Sequence, residues 1–173
     1  MSSRANAVTF KGEPKSLAGP EVKTGQKAPD FKTLNNGLAA VTLGDTPAKA
    51  RLFSVVPSLD TPTCSTQTKK FEEGIASLGD AVACYTVSLD LPFAQKRFCA
   101  GENIKTMHTL SDVHDHSFGK NWGVLLEGLP LPLLARAVFV VDKTGTVTYA
   151  EYVAEVTAEP NYATALAALK AAS

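Results

Sequence analysis

Short apolar runs alternate with stretches of helical periodicity along this chain, and that alternation restricts it to a layered α/β fold. Leu52-Phe-Ser-Val-Val56 reads as a buried strand, ended by Pro57. Phe71, Ile75 and Leu78 then recur four and three residues apart, the spacing of one helix face, with Gly79 as the stop. Ala81–Leu89 is a second mostly apolar strand, and Pro92–Ala100 reads as a short helix stopped by Gly101. A third helix is predicted from Ser111 toward Trp122. Ala137–Val141 and Thr146–Tyr149 flank Asp142-Lys-Thr-Gly145 as a hairpin, and a last helix from Pro160 carries Tyr162, Leu166 and Leu169 on one face. Upstream, a small hairpin is predicted with Val8-Thr-Phe10 as one arm and Glu21-Val-Lys23 near the other. Asn35-Asn-Gly37 marks a turn before Val41-Thr-Leu43.

Strand, helix, strand, helix, then an antiparallel hairpin and a helix is the order of a thioredoxin-like fold: a central mixed sheet flanked by helices, here with an N-terminal β-hairpin. The length of 173 residues suits one domain spanning 1–173, with 1–26 as the hairpin extension. Lys+Arg and Asp+Glu are both 17, so charge recommends neither nucleic acid nor an anionic membrane as partner. The first residues carry no apolar core of signal-peptide length, and no apolar run approaches the roughly 20 residues of a membrane span. The chain thus reads as cytoplasmic, where thiols stay reduced. Cys64, Cys84 and Cys99 are then core residues, metal ligands or working thiols rather than a disulfide framework.

Position separates the three. Pro57-Ser-Leu-Asp-Thr-Pro-Thr-Cys64 leaves a buried strand and enters a helix, the place where chemistry collects in α/β sheets. Thr61 suits an N-cap and Pro62 the first helical position, which puts Cys64 in the first turn beside unpaired N–H groups and the positive end of the helix dipole. Both favour the thiolate, the nucleophilic form. On position alone Cys64 is either this activated thiol or a small apolar side chain packed at a helix start. Thr61-Pro-Thr-Cys64 has the footprint of Cys-x-x-Cys with the first thiol replaced by a hydroxyl, which suits attack on a substrate better than shuttling a local disulfide. Cys84, mid-strand among Val82, Tyr85 and Val87, reads as core.

Pro57, Thr61 and Cys64 match the Pro-x-x-x-Thr-x-x-Cys signature of the peroxiredoxins, and the fuller string resembles the bacterial thiol peroxidase subfamily. Ala28-Pro-Asp-Phe31, Arg97-Phe-Cys99 and Leu134-Ala-Arg-Ala-Val-Phe-Val-Val-Asp142 extend the resemblance over nearly the whole chain. It implies an atypical two-cysteine peroxidase that reduces hydrogen peroxide and organic hydroperoxides. Cys64 would be oxidised to a sulfenic acid and Cys99 would resolve it as an intramolecular disulfide, with thioredoxin as reductant. Thr61 and Arg136 would donate to thiolate and peroxide, and Pro57 would shield the sulfur. The subfamily forms homodimers with each site complete in one chain, and it needs neither metal nor organic cofactor. Without the resemblance, Arg136 reads as a solvated or salt-bridged strand-edge charge and Cys99 as another buried thiol.

Cys99 lies 35 residues after Cys64 on its own short helix, and a bridge needs Cα atoms within about 7 Å. Local unfolding of Pro92–Ala100 and of the first turn carrying Cys64 is therefore expected before closure. Asp60 either caps the helix or lines the site. His114, His116 and His108 do not share the spacing of a metal site. The rival functions are a thiol–disulfide oxidoreductase on the same fold and a peroxide-sensing redox relay.

Overall fold

The computed structural model describes residues 1–173. Its elements in chain order are β1 (Ser3–Phe10), β2 (Glu13–Ala18), β3 (Lys32–Leu34), β4 (Ala40–Thr42), β5 (Ala50–Val55), α1 (Pro62–Ile75), β6 (Val82–Ser88), α2 (Pro92–Gly101), β7 (His108–Ser111), α3 (Ser117–Asn121), β8 (Leu125–Leu126), β9 (Ala137–Val141), β10 (Val147–Tyr152) and α4 (Tyr162–Ala172). Seven strands form one mixed sheet in the order β10-β9-β5-β6-β7-β3-β4. β5, β6 and β7 run parallel, and β9, β10, β3 and β4 join antiparallel at the two sides.

The central strands β5, β6 and β9 are buried at every residue, because layers cover both faces of the sheet. On one face Leu52, Cys84, Val138 and Val140 pack against Phe71 and Ile75 of α1 and Ala165 and Leu169 of α4. On the other, Phe53, Tyr85, Val87 and Phe139 meet Phe31, Phe118 and Trp122 in an aromatic-rich core. Burial of this kind, at about 25 cal/mol per Å² of apolar surface, fixes which strand ends point where. It therefore fixes the loop between β5 and α1. No helix is long and apolar enough to cross a membrane.

Three details depart from the sequence expectation. The second arm of the N-terminal hairpin is β2, not Glu21–Lys23. Phe10 pairs with Glu13 across a two-residue turn, Lys11-Gly12, with both φ values positive (53° and 80°). That is the primed turn whose twist suits a hairpin, written here with Lys in place of the usual Asn or Asp. Next, the stretch from Ser111 does not begin a helix: His108–Ser111 is the strand β7, and α3 starts only at Ser117 after His116 enters the left-handed region (φ 58°). Asp112 sets that delayed start, its buried carboxylate accepting from the amides of Phe118 (2.9 Å) and Gly119 (2.8 Å). Finally, Leu125–Leu126, a stretch without a predicted element, forms a two-residue strand, β8, which pairs with β2.

Candidate active site

β5 delivers the chain to Pro57, and the loop Ser58–Thr61 turns it into α1. Thr61 is the N-cap in extended conformation and Pro62 occupies the first helical turn. The first helical bond runs from Ser65 N to Thr61 O (3.1 Å), so the amides of Thr63 and Cys64 lie ahead of the helical ladder. The Thr61 hydroxyl makes no capping bond to the backbone. It sits instead 2.8 Å from Cys64 Sγ and 2.9 Å from Ser58 O. One hydroxyl proton serves one acceptor at a time, so a Cys64 thiolate draws it from the carbonyl to the sulfur.

Arg136 comes from the chain entering β9 and is only 2 % exposed. Its guanidinium donates from Nε to Val156 O (2.8 Å), from Nη1 to Gln67 Oε1 (2.9 Å) and from Nη2 to Cys64 Sγ (3.5 Å). The five ion pairs of the molecule all involve other cations, so this buried charge has no carboxylate against it. A buried cation held by neutral groups is costly unless an anion completes the site. Cys64 Sγ is the ionisable atom it contacts directly, while Glu159 and Tyr162 feel its charge from farther off.

Gln67 was not singled out in the sequence. It is fully buried, holds Arg136 through Oε1 and donates through Nε2 to Ser54 Oγ (2.7 Å). The signal for it was present: Cys64, Gln67, Phe71 and Ile75 follow helical spacing on the buried face, and an amide there requires a partner.

Pro57, Thr61 and Arg136 line a cleft of ≈ 430 Å³ whose other walls include Phe10, Pro62, Leu131, Leu133 and Val156. Cys64 itself is buried just beneath, with Val56, Leu59 and the α2 residue Phe98 around it. The tip of the N-terminal hairpin thus forms one wall of the cleft. Asp60 neither caps α1 nor lines the cleft; it is exposed, with Arg97 at 3.9 Å.

The three thiols are free and sit in different surroundings. Burial among apolar side chains pushes Cys84 up to about 12. Burial also raises Cys99, which sits 4.0 Å from Thr109 Oγ1 and lines a separate cavity of ≈ 500 Å³ beside His108 and Asn36. Cys64 alone has an arginine and a hydroxyl directed at its sulfur.

A cysteine at the first turn of a helix, at the carboxyl end of a central strand and facing an arginine and a hydroxyl, suits a thiol-based redox enzyme built on a thioredoxin-like fold. The Redoxin family matches residues 23–166, and the chain belongs to that family. A thiol peroxidase from Halalkalibacterium halodurans is 55% identical over 96% of this chain and 98% of its own length. One from Bacillus subtilis is 51% identical over 95% and 96%. The crystal structure of a peroxiredoxin-like protein from Aquifex aeolicus superposes with a TM-score of 0.90 at 41% identity, covering 98% of this chain and 99% of the other. Within the peroxiredoxins, the chain falls among the bacterial thiol peroxidases.

Proposed function

We propose that this enzyme reduces hydroperoxides at Cys64, resolves the oxidised sulfur with Cys99, and is recycled by a thioredoxin. The observation that carries the reading is the buried Arg136 guanidinium, which lacks a carboxylate and aims Nη2 at Cys64 Sγ. In the first step the Cys64 thiolate attacks the terminal oxygen of the hydroperoxide and the O–O bond breaks. The sulfur becomes a sulfenic acid, and the leaving oxygen departs as water or an alcohol after taking a proton. Arg136, the Thr61 hydroxyl and the amides ahead of the α1 ladder stabilise the charge that moves from sulfur to the leaving oxygen. Pro57 contributes shape and brings no donor of its own.

In the second step the Cys99 thiol attacks the sulfenic sulfur, water leaves and the disulfide forms. The setting of α2 supports a local unfolding before this step. Of its residues only Pro92 and Gln95 are buried. Beside the apolar contacts of Phe98 and Cys99, the layer beneath it is partly polar: Ser54, Thr86 and Thr109 stand level across β5, β6 and β7, with Ser88 opposite Ser111. Thr86 Oγ1 and Gln95 Oε1 have no partner there. Lifting the helix opens both atoms to solvent and exchanges the bonds of Gln95 Nε2 to Ser88 Oγ and Leu110 O for bonds to water. Thioredoxin then exchanges its dithiol for the disulfide.

We place the enzyme in the cytoplasm as a homodimer; the exposed apolar side chains Leu91, Phe93 and Leu131 are surface that a second copy would cover. The test is a peptide map of fully reduced protein after one equivalent of an organic hydroperoxide. Cys64 joined to Cys99 with Cys84 free is the expected result. Unreacted Cys64 refutes the peroxidase reading and favours the oxidoreductase, and Cys64 paired elsewhere refutes the role of Cys99.

A further inference from the structure

The donor that faces Cys64 is itself held from a distance. The Asp90 carboxylate, between β6 and α2, accepts from Ser58 Oγ (2.7 Å) and Ser88 Oγ (2.7 Å) and from the backbone amide of Leu59 (2.8 Å). Ser58 O in turn accepts from the amide of Thr61 (3.1 Å) and lies 2.9 Å from its hydroxyl. A continuous chain of hydrogen bonds therefore runs from Asp90 through Ser58 to Thr61 and ends on Cys64 Sγ. Asp90 is fixed at its other end as well: Ser111 Oγ donates to its carbonyl (2.5 Å), and Ser88 Oγ accepts from Gln95 Nε2 of α2 (3.0 Å).

We propose that Asp90 is a positioning residue for the peroxide-reducing step, acting through Ser58 to aim the Thr61 hydroxyl at the reacting atoms. The inference rests on the reading of Cys64 as the sulfur that peroxide oxidises. The loop Ser58–Thr61 belongs to no helix or strand, and Thr61 receives no support from capping, because its hydroxyl lies between the sulfur and Ser58 O instead. Two bonds to one rigid carboxylate fix the plane of Ser58 and Leu59. Without them the carbonyl that orients Thr61 is free to rotate. A donor matters in a transition state only where it is already in place when charge moves. Asn presents two polar atoms in the same plane as Asp. Its oxygen serves Leu59 N and Ser88 Oγ, and its amide meets a Ser58 hydroxyl that can turn to accept. Shape, not charge, is what Asp90 supplies.

The experiment compares two reactions of Cys64 in the full-length reduced protein: oxidation by hydrogen peroxide, which uses the Thr61 donor, and alkylation by iodoacetamide, which needs the thiolate but no donor at a leaving oxygen. For Asp90→Ala the peroxide rate constant is expected to fall on the order of 10- to 100-fold, the scale of a displaced catalytic group, with no fall in alkylation. Asp90→Asn should recover most of the loss. Ser58→Ala, which cuts the same chain with a smaller change, should show the same selective loss and decides the matter if Asp90→Ala does not fold. Peroxide rates of Asp90→Ala or Ser58→Ala within about two-fold of the parent overturn the proposal, as does a parallel fall in both reactions. Failure of the parent Cys64 to react with peroxide overturns the reading beneath it instead.

Discussion

Arg136→Met removes the only charge directed at the Cys64 sulfur while roughly keeping side-chain volume. At the observed 3.5 Å and an effective dielectric of about 20, a guanidinium and a thiolate attract by about 5 kcal/mol before desolvation is counted. Part of that attraction acts on the resting thiolate, and the part retained as charge passes to the leaving oxygen sets the rate. Loss of one such donor costs about 2.7–4 kcal/mol in the transition state, or 10²- to 10³-fold. The same change strips the donors from Gln67 Oε1 and Val156 O, at about 1–3 kcal/mol each, but it also removes a buried charge. These terms oppose one another, so the stability change should stay within about 2 kcal/mol while the rate collapses. Single-turnover oxidation by hydroperoxide, followed by stopped flow, gives the rate, and urea denaturation gives the stability. A peroxide rate within about three-fold of the parent would refute the argument from the uncompensated guanidinium. Arg136→Lys should fall between, because one ammonium cannot span a carbonyl, an amide and a sulfur together.

Thr61→Val keeps the shape of the N-cap and deletes its hydroxyl; peroxide reduction should drop by about 10²-fold. Thermal stability should hardly move, since that hydroxyl makes no capping bond. Cys84→Ala should leave turnover intact and cost about 1–2 kcal/mol of stability by denaturant titration, and native Cys84, held up to about 12, should resist iodoacetamide at pH 8. Burial pushes the Asp112 carboxyl up to about 7 against its two amide donors, so the folded state holds a proton that the unfolded chain releases near pH 4. Stability from this group is therefore greatest below about pH 4 and declines as pH rises toward 7, and Asp112→Asn should flatten that part of a denaturation–pH profile. Glu72 runs the other way: burial opposes its charge, but the amides of Lys105, Thr106 and Met107 hold it below the usual range, so its contribution is lost on acidification below about pH 4.

The parts of the fold that were legible in the sequence are those in which every residue of an element serves one environment. Leu52–Val56 and Ala137–Val141 are apolar throughout because both faces of their strands are covered, and a run of that kind reads as a buried strand. β7 is harder, since His108-Thr-Leu-Ser111 is half polar; its hydroxyls belong to the layer under α2, which no single segment reveals. The start of α3 was missed because its capping carboxylate, Asp112, sits six residues ahead of the amide it holds, outside the reach of any local cap pattern. At the site, Cys64 and Thr61 announce themselves through a strand, a proline and a helix start in sequence. Gln67 shows only as an amide on the buried face of α1 that requires a partner, while Val156 and the hairpin tip give no sign, because they meet Arg136 or the cleft only after the chain has folded.

The hydroxyl layer beneath α2 also limits how this enzyme can be improved. An engineer seeking heat resistance would replace Thr86 by valine, which keeps the shape and removes a buried hydroxyl that has no partner. That gain would be taken from turnover. If Cys99 resolves the Cys64 sulfenic acid as proposed, a helix held more tightly to its sheet would release it more slowly and give a second peroxide time to carry Cys64 to the sulfinic state. On that proposed cycle, robustness to heat and robustness to substrate are opposed, and the trade is set by side chains beneath α2 rather than by the walls of the cleft.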